Sequence, residues 1–446
     1  MPLLSAHNVL SVTLMAACAV TTSMPAWAGT WGTQAVLASN AYSGTVALDS
    51  AGNMTSVWYQ NALPNGTAVN EIWASSAAFG KPWGSPVNIS GPIGVASGSP
   101  SVRGSAAGNV TAIYTSQTTG TTYVDRPSGG NWGTPGPANG VNQFPVSNTR
   151  GDEGLVWSTG GARYSSSTVD AVVRPGGSGW SAAMTVASGV HLAFDGALMA
   201  PDGSMAVAWE SFDATCGSRT CKTSNWNLHV STLAAGAQNW VDSGVLLAAA
   251  ATQHFSQLAA DGGGNLGVIA LSGSNLVSLV RHSGAWTAPA VVAPLTAIGF
   301  YTGTGRDNRV YASDANGHAT VVGWNPGLFS LVAVDGNLAT NTWGAVTTIS
   351  GSDQNPNYFD FAMSSTGAAI AFYSVAGTGG NTIWRAATRG TTGMPWNAPA
   401  TAGNSFEGGG TPEGVAINAA GEAAVVFHGY SPDYLTFIQY TNTYHP

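Results

Sequence analysis

One tryptophan, recurring about every fifty residues along almost the whole chain, restricts the fold more than any other feature. Trp31, Trp83, Trp132, Trp180, Trp240, Trp286, Trp343 and Trp396 stand 46 to 60 residues apart, and fifty more residues follow the last. A period of this size marks an array of supersecondary units that bury their faces against one another. After most of these tryptophans comes a short apolar strand, as at 86–89, 184–187, 290–293 and 346–349. Two further strands flank a tight glycine-containing turn, clearest where 45–48 and 55–59 enclose Asp49, Ser50, Ala51, Gly52 and Asn53. A fourth strand leads to the next tryptophan, as at 71–75, 228–232, 276–281 and 382–387.

Four strands per unit describe a propeller blade. The hairpin turn returns at 105–109, 201–204, 261–265, 314–318, 364–368 and 418–422, with a less regular version expected at 150–154. The chain opens with Trp31 and one outer-type strand, 34–38, and closes with three strands, 414–418, 423–428 and 435–440. The expected fold is therefore all-β: an eight-bladed β-propeller of four-stranded antiparallel blades, the last blade completed by the N-terminal strand. Such closure leaves no sheet edge open to another chain.

Charged residues make up 8% of the chain and glycine supplies 59 of its 446 positions. The 13 Lys and Arg are scattered and the formal net charge is -8, so no basic stripe exists to neutralise a phosphate backbone and nucleic acid is excluded as a partner. Positions 9–20 form an apolar run too short to span a bilayer, followed by Ala26, Trp27 and Ala28, a small-x-small cleavage pattern. The expectation is a signal peptide over 1–28 and a monomeric propeller over 29–446, secreted, periplasmic or held at the cell surface, with no membrane span. Cys18 leaves with the signal; Met15, Ala16, Ala17 and Cys18 weakly match a lipoprotein cleavage box, a minor alternative. Cys216 and Cys221 remain and form the expected disulfide. They sit in the largest insertion, 211–225, read as a stapled loop.

Loops that enter the innermost strand, and those after the second strand, gather at one end of a propeller and make it the default binding face. Candidates for a catalytic role there are His191, Glu210, His254, Arg309 and Asp360, and candidates for ligand contact are Tyr59, Asp195, Trp209, Asp307, Glu413, His428 and Tyr430. The recurrent tryptophans are read as inter-blade packing, not as eight ligand platforms. No EF-hand loop, metalloprotease His pair, phosphate loop or dinucleotide fingerprint occurs, so no cofactor or metal is expected.

Repeat length and hairpin pattern over 29–446 resemble the sialidase-like, polysaccharide-lyase and lectin propellers. The turn at Asp49, Ser50, Ala51, Gly52 has one residue more before its glycine than the Asp-box of sialidases, which disfavours that branch. The resemblance implies a recognition protein for extracellular carbohydrate on one propeller face. One alternative is a polysaccharide-acting enzyme, with His254 or His191 as the base of a lyase and Arg309 against a uronate, or Glu210 and Asp360 as hydrolytic carboxyls. The other is a scaffold for a protein partner.

Overall fold

The computed structural model describes residues 29–62, 69–90, 96–116, 120–138, 144–160, 166–176, 178–216, 221–248, 255–300, 310–353, 355–405, 412–430 and 436–446. The expected signal peptide, 1–28, lies outside them. They form eight antiparallel sheets. Blade 1 begins with Ala41–Leu48, Asn53–Ala62 and Val69–Ala78, and each later blade repeats this order from the axis outward. In blade 8, Pro412–Ile417, Ala423–Tyr430 and Phe437–His445 are completed by Thr30–Trp31 and Ala35–Ser39, which both pair with the Phe437–His445 strand. The eight blades and the N-terminal closure agree with the sequence reading.

Second strands are buried on both faces because each is covered by the blades on either side. Leu266–Ser272 and Ala423–Tyr430 accordingly read as near-continuous apolar runs of small and β-branched residues. The recurrent tryptophans pack between blades, and three of them cover an arginine. Arg126 lies 5.4 Å from the Trp132 ring, Arg174 5.1 Å from Trp180 and Arg389 5.0 Å from Trp396. Each guanidinium crosses to the preceding blade, where it donates to a second-strand threonine: Thr55, Thr111 or Thr320.

The turn between first and second strands has a glycine at positive φ in every blade: Gly52, Gly108, Gly151, Gly203, Gly264, Gly317, Gly367 and Gly421, all between +81° and +88°. In five blades the side-chain oxygen of Asp49, Asn148, Asp261, Asp314 or Asn418 accepts the N–H groups two and four residues on, at 2.7–3.1 Å. Blade 3 corrects the sequence reading here. Its turn is regular and runs from Asn148 to Asp152, not over 150–154, because Asn148 takes the aspartate's place as acceptor.

Within the 211–225 insertion, the described residues 211–216 and 221–225 are strand, not loop. Its ends extend the hairpin of blade 4, whose strands Met205–Cys216 and Cys221–Leu233 stay in register until Cys216 stands opposite Cys221. A two-stranded ladder satisfies the backbone of so long an excursion where a loop would leave it to water. The expected disulfide falls on side chains outside the described residues.

Candidate functional site

The turns just described occupy one end of the ring, and the candidate residues gather at the other. In blade 4 the first strand, Leu192–Met199, carries a bulge: Phe194 pairs with Trp209 and Gly196 with Ala208, which leaves Asp195 without an opposite number. Asp195 meets blade 5, where the Ser256 hydroxyl donates to its Oδ2 at 2.9 Å. Glu210, opposite Ala193, is 6% exposed and its Oε2 has no hydrogen-bond partner. Burial, and then the charge of Asp195, push the Glu210 carboxyl up to about 9. At neutral pH Glu210 therefore keeps its proton and offers an O–H donor beside the carboxyl oxygens of Asp195.

Two residues beyond Glu210, half-buried Phe212 stacks on Trp226 at 4.1 Å and meets the His191 ring edge-on at 5.6 Å. His191 is the single residue that links blade 3 to blade 4, at a φ of +62°. The two carboxyls and the Ser256 hydroxyl thus lie at one seam, between blades 4 and 5, and the Phe212–Trp226 pair lies further along the same hairpin of blade 4.

Trp209 points to the other side of blade 4. It is buried, donates to the Ser231 hydroxyl at 3.0 Å and stacks on His229 at 4.0 Å. Tyr59 is buried in the core shared by blades 1 and 2. Glu413 and His428 form a second constellation at the seam between blades 8 and 1. Glu413 accepts the N–H groups of Ser43 and Gly44, each at 2.6 Å, and lies 2.7 Å from His428 Nδ1. Tyr430 packs on Phe437 with ring centroids 4.3 Å apart.

Asp360, in the first strand of blade 7, accepts the N–H of Phe361 at 2.8 Å, and the structure does not bring it together with Glu210 in blade 4. His254, Asp307 and Arg309 lie outside the described residues, and with them the lyase pairing. Ser256, Phe212 and Trp226 were not singled out in the sequence. An alternating strand pattern continuing through 205–216 and 221–233 is the signal that could have found the latter two.

Among the described residues no group of three or more His, Cys, Asp or Glu side chains converges as a metal cluster, and no helix is long and apolar enough to cross a membrane. A cavity of about 260 Å³ lies at the opposite end, lined by Thr366, Gly390, Thr391, Met394, Ala419 and Ala420, with no titratable group.

No family model matches the chain, and no curated protein does. Among solved structures it is similar to the BP39L lectin from Burkholderia pseudomallei, at 12% identity over 83% of this chain and all of that one, with a TM-score of 0.49. It is also similar to a puromycin hydrolase, at 16% identity over 87% of this chain and 58% of that one, TM-score 0.49. A third similarity is to the polysaccharide lyase Uly1, at 10% identity over 90% and 89% of the two chains, TM-score 0.45.

Proposed function

We propose that this chain is an exported recognition protein that binds extracellular carbohydrate at the seam of blades 4 and 5. The observation that carries the reading is the Asp195–Glu210 pair, with a buried Glu210 oxygen left unpartnered at the loop end of the ring. A buried polar atom without a partner is costly in a folded protein, and such atoms concentrate where a ligand supplies the missing bond. An O–H donor beside the carboxyl oxygens of Asp195 suits adjacent hydroxyls, each of which both donates and accepts. Phe212, steadied by Trp226, adds the apolar edge that the C–H face of a sugar ring covers.

The test is a glycan array probed with Gly29–Pro446 and with Asp195→Asn and Glu210→Gln. Wild-type binding to a defined glycan is expected, weakened about tenfold or more in Asp195→Asn, which loses a carboxyl acceptor, and in Glu210→Gln, which loses the O–H donor. Silence on the array removes the carbohydrate reading, and binding indifferent to both variants moves the site elsewhere.

A hydrolytic reading is favoured by the burial of Glu210 beside Asp195, which pushes its carboxyl up toward the range a general acid requires. Incubating each bound glycan with the protein and looking for products by mass spectrometry separates turnover from binding alone.

A further inference from the structure

We infer that Ser211, His229 and Asp242 of blade 4 form a nucleophilic site for acyl esters, on the opposite face of the second strand from Glu210. That face turns toward blade 3 and carries Trp209 and, two residues on, half-buried Ser211. Ser211 Oγ lies 3.3 Å from His229 Nε2, and His229 Nδ1 lies 3.4 Å from Asp242 Oδ2. The three side chains come from three neighbouring strands, Met205–Cys216, Cys221–Leu233 and Val241–Asp242. A hydroxyl at one imidazole nitrogen and a carboxylate at the other is the order in which a base activates a nucleophile and is itself oriented.

The surroundings of the imidazole favour that role. Its ring stacks on Trp209 at 4.0 Å, and Trp209 is in turn fixed by its bond to Ser231, so the ring plane is held. His229 Nδ1 is buried and makes no hydrogen bond, which leaves the Asp242 carboxylate as the acceptor within reach. A proton on Nδ1 facing Asp242 makes Nε2 the acceptor for Ser211. Burial, against the pull of Asp242, holds the imidazole below its ordinary pKa and therefore in its basic form at neutral pH. Both distances are long for hydrogen bonds, and contacts of this kind tighten in the complex with substrate. Asn227 stands directly opposite Ser211. Its amide donates to the Asn225 carbonyl at 3.1 Å and has a second hydrogen to give, the donor that an oxyanion developing beside Ser211 requires.

The repeat does not impose this arrangement. His229 pairs with Trp209, six residues after the turn glycine Gly203, and none of the other seven blades has a histidine at the equivalent place. Blade 1 has Trp73 there, blade 3 Asp170, blade 5 Val277 and blade 7 Arg385. The register of blade 4 also breaks between Ser211 and Asp213, a bulge of the kind that re-aims a side chain. In the reaction His229 Nε2 takes the hydroxyl proton as Ser211 Oγ attacks the ester carbonyl carbon. The tetrahedral intermediate expels the alcohol, which leaves with that proton. Water then gives a proton to His229 as it attacks the acyl carbon, and Ser211 departs with the proton as the free acid is released.

The experiment is labelling of Gly29–Pro446 with a fluorophosphonate probe, the adduct being located by mass spectrometry. One adduct is expected, on Ser211, and p-nitrophenyl acetate should acylate the same residue. Ser211→Ala abolishes the adduct, His229→Gln slows its formation at least about a hundredfold, and Ser204→Ala, in a turn at the far end, leaves the rate unchanged. Asp242, a positioning residue, is tested by rescue: Asp242→Asn slows labelling and Asp242→Glu restores part of the rate. Circular dichroism confirms that each variant is folded. No adduct on wild-type Ser211, or an adduct that forms equally fast in His229→Gln, overturns the inference. The result is independent of the glycan array, since neither probe contains a sugar.

Discussion

Arg174 shows what the recurrent tryptophan is for. Its guanidinium, 6% exposed, reaches from blade 3 to Asp125 and Thr111 of blade 2, pairs with buried Glu153 of its own blade, and is covered by Trp180. Because Arg174 and Glu153 are both withdrawn from water, removing the cation strands a buried carboxylate. Arg174→Met should lower stability by about 3–5 kcal/mol in urea unfolding, and restoring neutrality with Glu153→Gln in the same chain should recover part of it. His229 makes the complementary case. Burial pushes its imidazole below the ordinary 6.5, against an opposing pull from Asp242, so the folded protein holds it neutral where the unfolded chain begins to protonate. Its contribution is complete above about pH 6.5 and falls away as pH drops through that value toward the folded pKa. Thermal midpoints of wild type should decline between pH 7 and 5 more steeply than those of His229→Phe, and parallel curves would remove this account.

Among the elements, the first hairpin of each blade was the most legible. Its signal is local: an acceptor side chain, a glycine three residues later, and alternating apolar residues on either side. Blade 3 was misplaced by two residues: its acceptor is Asn148, as Asn418 is in blade 8, and the glycine three residues on is Gly151, not Gly154. The strand at Ala35–Ser39 has the opposite character. Nothing local tells it to pair with Phe437–His445, some four hundred residues away; only the phase of the repeat does. Deleting residues 29–39 should expose the full edge of that last strand, lower the midpoint of thermal unfolding, and shift the protein toward aggregates in size-exclusion chromatography. An unchanged elution profile and midpoint would show that blade 8 is stable with three strands.

For the molecule as a whole, the ring sets the two acidic bulges in blades 4 and 8, half a turn apart. One is saturated by its neighbours and seals the seam where the chain closes on itself. Beside the other, the buried Oε2 of Glu210 has no hydrogen-bond partner, and the proposed carbohydrate site is placed there. Closure depends on close approach at that first seam, where a methyl group on Gly414 would stand 3.1 Å from the backbone of Thr45 and Val46. Loop divergence between blades fits a single asymmetric site better than eight equal ones.

The sequence by itself determined most of the strands, all but one of the first-hairpin turns, the number of blades and the way the ring closes, because period-two patterning and glycine turns act over a few residues and the repeat phase counts them. It also nominated Asp195, Glu210, Glu413 and His428 one by one. Which of these meet was decided only by the tertiary structure. A bulge inserts one residue and turns a side chain out of the ladder, so Asp195 can stand beside Glu210, while Glu413 reaches Ser43 across 370 positions of sequence. No local pattern encodes where a register breaks or which strand the ring brings alongside.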